Sequence, residues 1–159
     1  MNAIEDFEDL LAVFEAHRVR YLIVGGLAFI FHAKPRYTKD IDLWIEPAEE
    51  NVARANKALK DFGAPYALTQ PPVHDEVLQI GLPPNRIDLI LGIEGVRFTD
   101  AWETRIRSVY GGVEANWIGL ECLYEVKSKI DSPRHQEDAR VLREVIKLRE
   151  QSRKNKKSD

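Results

Sequence analysis

Asp40 and Asp42 stand one residue apart in the run Lys39-Asp40-Ile41-Asp42-Leu43-Trp44-Ile45. Side chains of an extended chain alternate, so Asp40, Asp42 and Trp44 share one face while Ile41, Leu43 and Ile45 share the other. Two carboxylates about 7 Å apart on one strand face repel each other unless a cation neutralises them. Such a pair can each reach, or share, divalent ions about 3.5–4 Å apart, the arrangement of in-line phosphoryl displacement. Asp88, in the alternating run Arg86-Ile87-Asp88-Leu89-Ile90-Leu91, is a third candidate. From a neighbouring strand it could complete the site and help deprotonate an attacking hydroxyl. Mg2+ suits this set, since it takes a few carboxylates and leaves its other positions to water and substrate phosphates.

The elements that must position these groups are legible. Tyr21 to Val24 reads as a strand stopped by Gly25-Gly26, and Leu27 to His32 as a helix whose N-terminus sits at those glycines. Glycines let backbone approach closely, and a helix N-terminus offers N–H donors and a positive dipole end to a triphosphate. Pro35 breaks the helix, and Lys34 to Lys39 is a basic loop leading into the aspartate strand.

Upstream, Asn2 and Glu5 form a capping box for a helix running to about Arg18, with Ile4, Phe7, Leu11 and Phe14 at helical spacing. Pro47 can open the next helix, with Val52, Ala55, Leu59 and Phe62 as its apolar stripe and Gly63 as its stop. Ala64 to Asp75 is loop, Val77 to Leu82 and Arg86 to Leu91 are strands across a Pro83-Pro84-Asn85 turn, and Phe98 to Thr104 is a short helix. Ile106 to Tyr110 and Val113 to Ile118 form a hairpin across Gly111-Gly112. Leu120 to Ile130 and Arg134 to about Gln151 are the last helices. The expected fold is α/β (α+β): a mixed sheet flanked by helices. One domain over 1–151 is predicted, with its core at about 20–92, C-terminal helices at about 119–151, and a disordered basic tail at 152–159.

The spacing of these motifs resembles the nucleotidyltransferase superfamily related to DNA polymerase β: Gly25-Gly26, then 13 residues, then Asp40-Ile41-Asp42-Leu43. More narrowly, Gly-Gly-x-Ala with Arg36-x-Thr38-x-Asp40-Ile41-Asp42-Leu43-Trp44 is similar to small bacterial nucleotidyltransferase-like proteins grouped with the AbiEii toxins. By this resemblance Gly25, Gly26 and Thr38 would hold the nucleotide phosphates, Asp40 and Asp42 two Mg2+ ions, and Asp88 would be the third metal-site carboxylate. The family pattern also includes a C-terminal segment, from which Ser132 and His135 depart here.

Lys127 lies on the apolar stripe of Leu120, Leu123, Tyr124 and Ile130, and Asp138 lies on that of Val141, Leu142 and Val145. A charge on an apolar stripe needs a partner or a cleft. Either Lys127 pairs with Asp138, or Lys127, with Arg134, contacts phosphate. Lys34, Arg36 and Lys39 are equally readable as phosphate neutralisers or as a solvated loop.

The 159-residue chain carries a net charge of −3, which argues against a general nucleic-acid coat. Its single cysteine, Cys122, fits a reducing compartment, and no signal peptide or membrane span is recognised, so a cytoplasmic protein is expected. The expected activity is Mg2+-dependent transfer of a nucleoside monophosphate from an NTP such as ATP to a hydroxyl. The acceptor is open: tRNA or a protein, with an antitoxin partner, as the toxin resemblance implies, or a small molecule such as an antibiotic. The rival from another class is a non-catalytic protein that keeps the fold and binds nucleotide or a partner.

Overall fold

The computed structural model describes residues 3–158. The chain runs α1 (Ala3–Ala16), β1 (Tyr21–Val24), α2 (Gly25–His32), β2 (Asp40–Ile45), α3 (Glu49–Phe62), β3 (Val77–Ile80) and β4 (Arg86–Ile90). It continues through α4 (Phe98–Glu103), β5 (Ile106–Tyr110), β6 (Val113–Trp117), α5 (Leu120–Ser128) and α6 (Pro133–Ser158). The strands form one mixed sheet in the order β3-β4-β2-β1-β6-β5. β2 runs antiparallel to β1 and parallel to β4, while β1 runs parallel to β6.

The mixed sheet flanked by helices is the expected class, and the alternation of its strands explains its layers. Ile41, Leu43, Ile45, Ile87 and Leu89 face one side, where α1 and α3 cover them with Leu10, Leu11, Phe14, Val52 and Leu59. Trp44, Leu22 and Val24 face the other, against Ala28 and Phe29 of α2, Phe98 of α4, Leu123 of α5 and Leu142 of α6. Covered on both faces, β1 buries all four of its residues, which is why it reads as an unbroken apolar run. Burying each such large side chain contributes about 2 kcal/mol. Trp44 is sealed edge-on against Phe98, at 5.3 Å between centroids, and is closed to stacking on a ligand.

Several boundaries differ from the sequence reading for local reasons. Asn2 and the Glu5 side chain lie outside the described residues, and so does their capping box. α1 stops at Ala16, because Arg18 turns the chain through a left-handed conformation with φ of 56°. α3 begins at Glu49 rather than at Pro47, with Ala48 still extended, while Glu49 and Glu50 place negative charge in its first turn. Gly63 ends it at φ of 93°, as a left-handed glycine cap should. α6 does not give way to a disordered tail: it continues as helix through Ser158, with 151–157 exposed.

Asn51 is fully buried and ties two strand ends together. Its Oδ1 accepts from the Arg20 N–H at 2.8 Å, and its Nδ2 donates to the Arg20 and Glu46 carbonyls, each at 3.0 Å. Arg20 precedes β1 and Glu46 follows β2, so one side chain clamps this pair at the end away from the glycines.

Candidate active site

The register places the acidic residues side by side. Asp42 of β2 pairs with Val24 of β1 on one flank and with Asp88 of β4 on the other, while Asp40 pairs with Arg86. The three carboxylates, predicted from strand phase, converge: one oxygen from each of Asp40, Asp42 and Asp88 lies within 4.8 Å of the others. Asp88 is buried, and its Oδ1 has no hydrogen-bond partner. The Asp42 carboxyl is pushed up to about 7, first by burial and then by the charges of Asp40 and Asp88. Crowded oxygen donors with an orphaned buried acceptor fit a divalent cation, which would relieve their repulsion.

Arg86 is the member of this cluster that sequence reasoning missed. Its Nη2 donates to Asp40 Oδ2 at 2.6 Å and to Asp88 Oδ2 at 3.1 Å, bridging two of the three carboxylates. Its position two residues before Asp88 on the same strand face was the available signal. Its pairing with Asp40 depends on cross-strand register, which a single sequence does not carry.

Gly25 and Gly26 open α2 directly above the carboxylates. Gly25 has φ of 68°, and a Cβ there would run into Asp42 Oδ2. A Cβ on Gly26 would come within 2.9 Å of Thr38 Oγ1. The residue before α2, Val24, makes no side-chain cap, and no acidic residue occupies the helix's own first turn, so the negative charge beside this helix start comes from Asp42 across the cluster. Thr38 stands beside Asp40, with its hydroxyl 3.4 Å from the Asp40 carbonyl.

Lys127 makes the ion pair that was one of its two sequence-based alternatives, and it also lines the recess beside the glycines. It is buried and pairs with Asp138 Oδ2 at 3.1 Å, and its Nζ lies 3.2 Å from His135 Nδ1. Asp138 Oδ1 accepts from Arg36 Nη1 at 2.6 Å, so this buried carboxylate anchors one cation from α5 and one from the loop between α2 and β2. Burial lowers the Lys127 ammonium against the upward pull of Asp138. Burial alone would raise Asp138, yet Arg36 and Lys127 hold it below the usual carboxylate range. Lys127, Arg36 and Arg134 all line a polar recess of about 190 Å3 together with Gly25, Gly26, Thr38, Asp40 and Asp42.

No protein-family profile matches the chain, and no curated protein matches its sequence. Its fold does match solved structures. The lincosamide antibiotic adenylyltransferase LnuA with lincomycin bound superposes with a TM-score of 0.59 at 15% identity, over 89% of this chain and 96% of that one. The antibiotic-resistance factor ANT(2'')-Ia in complex with adenylyl-2''-tobramycin gives 0.56 at 16% identity, over 96% and 97%. An antigenic nucleotidyltransferase-like protein of Paracoccidioides brasiliensis gives 0.56 at 17%, over 91% and 76%. The fold is that of the nucleotidyltransferases. Among the described residues no helix is long and apolar enough to cross a membrane.

Proposed function

We propose that this protein transfers a nucleoside monophosphate from an NTP to a hydroxyl. The observation that carries the reading is the convergence of Asp40, Asp42 and Asp88 beneath an uncapped helix N-terminus whose first residue is sterically required to be glycine. A divalent cation, Mg2+ by its all-oxygen donors, would be held by Asp40, Asp42 and Asp88 and would neutralise charge on the transferred phosphoryl group.

The chain's own groups divide the remaining work. The N–H groups at Gly25 and Gly26 and the cations Lys127, Arg36 and Arg134 bind and orient the triphosphate in the polar recess. Asp88 takes the proton of the acceptor hydroxyl. The acceptor oxygen then bonds to the α-phosphorus as its bond to the bridging oxygen breaks, and pyrophosphate carries the electron pair away.

A small-molecule acceptor is supported by two fold neighbours, one with lincomycin bound and one with adenylylated tobramycin. The toxin-like version of the reading, with tRNA or protein as acceptor and an antitoxin partner, rests on the sequence resemblance. The decisive experiment incubates the protein with four labelled NTPs and Mg2+, against aminoglycosides, lincosamides and a cell extract. Label should pass to an acceptor with the wild type and not with Asp40→Asn/Asp42→Asn. Equal transfer by the double variant overturns the mechanism, and failure of all four NTPs to bind in calorimetry with Mg2+ overturns the enzyme reading.

A further inference from the structure

A separate recess of about 290 Å3 opens at the end of β1 away from the glycines, with Glu15, Arg18, Arg20, Trp102, Arg105 and Arg107 on its walls. The whole length of β1, Tyr21–Val24, lies between Arg20 and Gly25. The chain carries a net charge of −3, yet four guanidiniums meet a single lining carboxylate here.

Two of the four cations are engaged within the protein. Arg107 Nη1 donates to Glu15 Oε1 at 2.8 Å and to Asn116 Oδ1 at 3.0 Å, while its Nη2 donates to Glu114 at 3.2 Å. Arg20 lies 3.5 Å from Glu46. Among the described residues, Arg18 and Arg105 have no carboxylate partner. Arg18 is exposed on the turn after α1 and is the only non-glycine with a positive φ among the described residues.

Arg105 is held more firmly. Its guanidinium lies 3.8 Å from the centroid of the Trp102 ring, and Phe98 stacks on the same indole. Its Nη1 donates to the Trp102 carbonyl at 2.9 Å, and its Nε is buried without an acceptor. The fold therefore orients a planar cation without supplying it an anion.

A guanidinium presents paired N–H groups that match two oxygens of one phosphate. Two such groups, from different elements at one recess, match two linked phosphates. Glu46 and Glu114 bound the positive region on its Arg20 and Arg107 sides, which opposes a polyanionic chain running on across the surface and favours a compact anion. We propose that this recess binds a diphosphate group through Arg18 and Arg105, at a site apart from Asp40, Asp42 and Asp88. Free pyrophosphate and the end of a nucleoside diphosphate share this chemistry.

The test follows the indole N–H resonances of the 15N-labelled protein in EDTA, with pyrophosphate, ADP, orthophosphate and a short single-stranded RNA as probes. Trp102→Phe assigns the Trp102 resonance among those of the three tryptophans. That resonance should shift saturably with pyrophosphate or ADP, about tenfold more tightly than with orthophosphate. Whichever of the two binds more tightly identifies the source of the group. Arg18→Asn removes the charge while tolerating the left-handed turn, and Arg105→Lys keeps the charge without the planar fork. Each should weaken pyrophosphate about fivefold or more, whereas Arg143→Gln, an exposed charge removed from α6, should leave it unchanged. A Trp102 resonance that moves with neither diphosphate overturns the proposal, as does unaltered binding in both recess variants. Equal affinity for orthophosphate overturns it too. Tighter binding of the RNA with a steep salt dependence makes the recess part of a nucleic-acid surface and overturns it in favour of a polymer. Anions held at the glycine recess leave the Trp102 resonance in place, so none of these outcomes depends on the nucleotidyltransferase reading.

Discussion

Gly25 and Asp42 fit together only because position 25 has no side chain: a Cβ built there would run into Asp42 Oδ2, and the φ of 68° disfavours any L residue. The carboxylate thus rests on the backbone that starts α2, which brings the helix start and the acidic cluster into one site. Gly25→Ala should cost about 1–3 kcal/mol in chemical unfolding through backbone strain. It should also displace Asp42 and weaken divalent-cation binding measured by calorimetry. Gly26→Ala, whose Cβ would press on the Thr38 side chain from an ordinary φ, should do less on both counts.

Arg86 occupies in the metal-free protein the electrostatic role that a cation would take, bridging Asp40 and Asp88. Arg86→Met should lower the melting temperature of the metal-free protein, because the carboxylates lose their internal counter-charge. It should at the same time tighten Mn2+ binding several-fold, because the ion no longer competes with a guanidinium. A melting temperature and a titration on the same preparation check both halves, and weaker Mn2+ binding would show that Arg86 supports the ion rather than competing with it.

The raised Asp42 carboxyl sets a pH dependence with a defined sign. In the unfolded chain it releases its proton near 3.8, whereas in the folded protein it keeps it up to about 7. The folded state therefore binds more protons between those values, so this stabilisation is complete below about 4 and is lost as pH rises through about 7. Asp42→Asn should abolish that contribution, so the difference between wild-type and variant unfolding free energies in EDTA isolates it. Divalent affinity runs the opposite way, rising with pH through about 7 with release of a proton, readable by calorimetry in buffers of different ionisation enthalpy.

Asp138 is the shared anchor of Lys127 and Arg36. Asp138→Ala would leave a buried ammonium without its partner and should destabilise the protein by on the order of 3 kcal/mol. Pairing the change with Lys127→Met should recover most of that loss. Unfolding of the two single variants and the double variant, read as a cycle, decides between a coupled buried pair and two independent contacts.

What was legible beforehand divides along one line. Asp40 and Asp42 could be placed on one face because strand alternation is a local rule, Asp88 became their third partner only with the help of the family resemblance, and Gly25-Gly26 could be placed because a strand, a glycine stop and an apolar helix follow in order. Arg86 bridging Asp40 and Asn51 clamping Arg20 to Glu46 could not, since each depends on which strands lie side by side and in what register. Pro47 misled for a different reason: a proline permits a helix start without requiring one, and here the chain stays extended through Ala48. Lys127 was left between two roles, and the fold shows the ion pair with Asp138, with the ammonium at the wall of the recess.

The Asn51 clamp has a consequence for how such a protein can diversify. The alignment of β1 with β2 is held at the Arg20 and Glu46 end, opposite the glycines and aspartates. The connection from Ala33 to Lys39 therefore does not have to set that alignment. That connection is pinned instead by two side chains flanking Tyr37, which is itself 72% exposed: Arg36 is tied to Asp138, and Thr38 stands against Gly26. Changes in its length are therefore tolerated only outside residues 36–38, where they leave both the strand register and these two side chains in place.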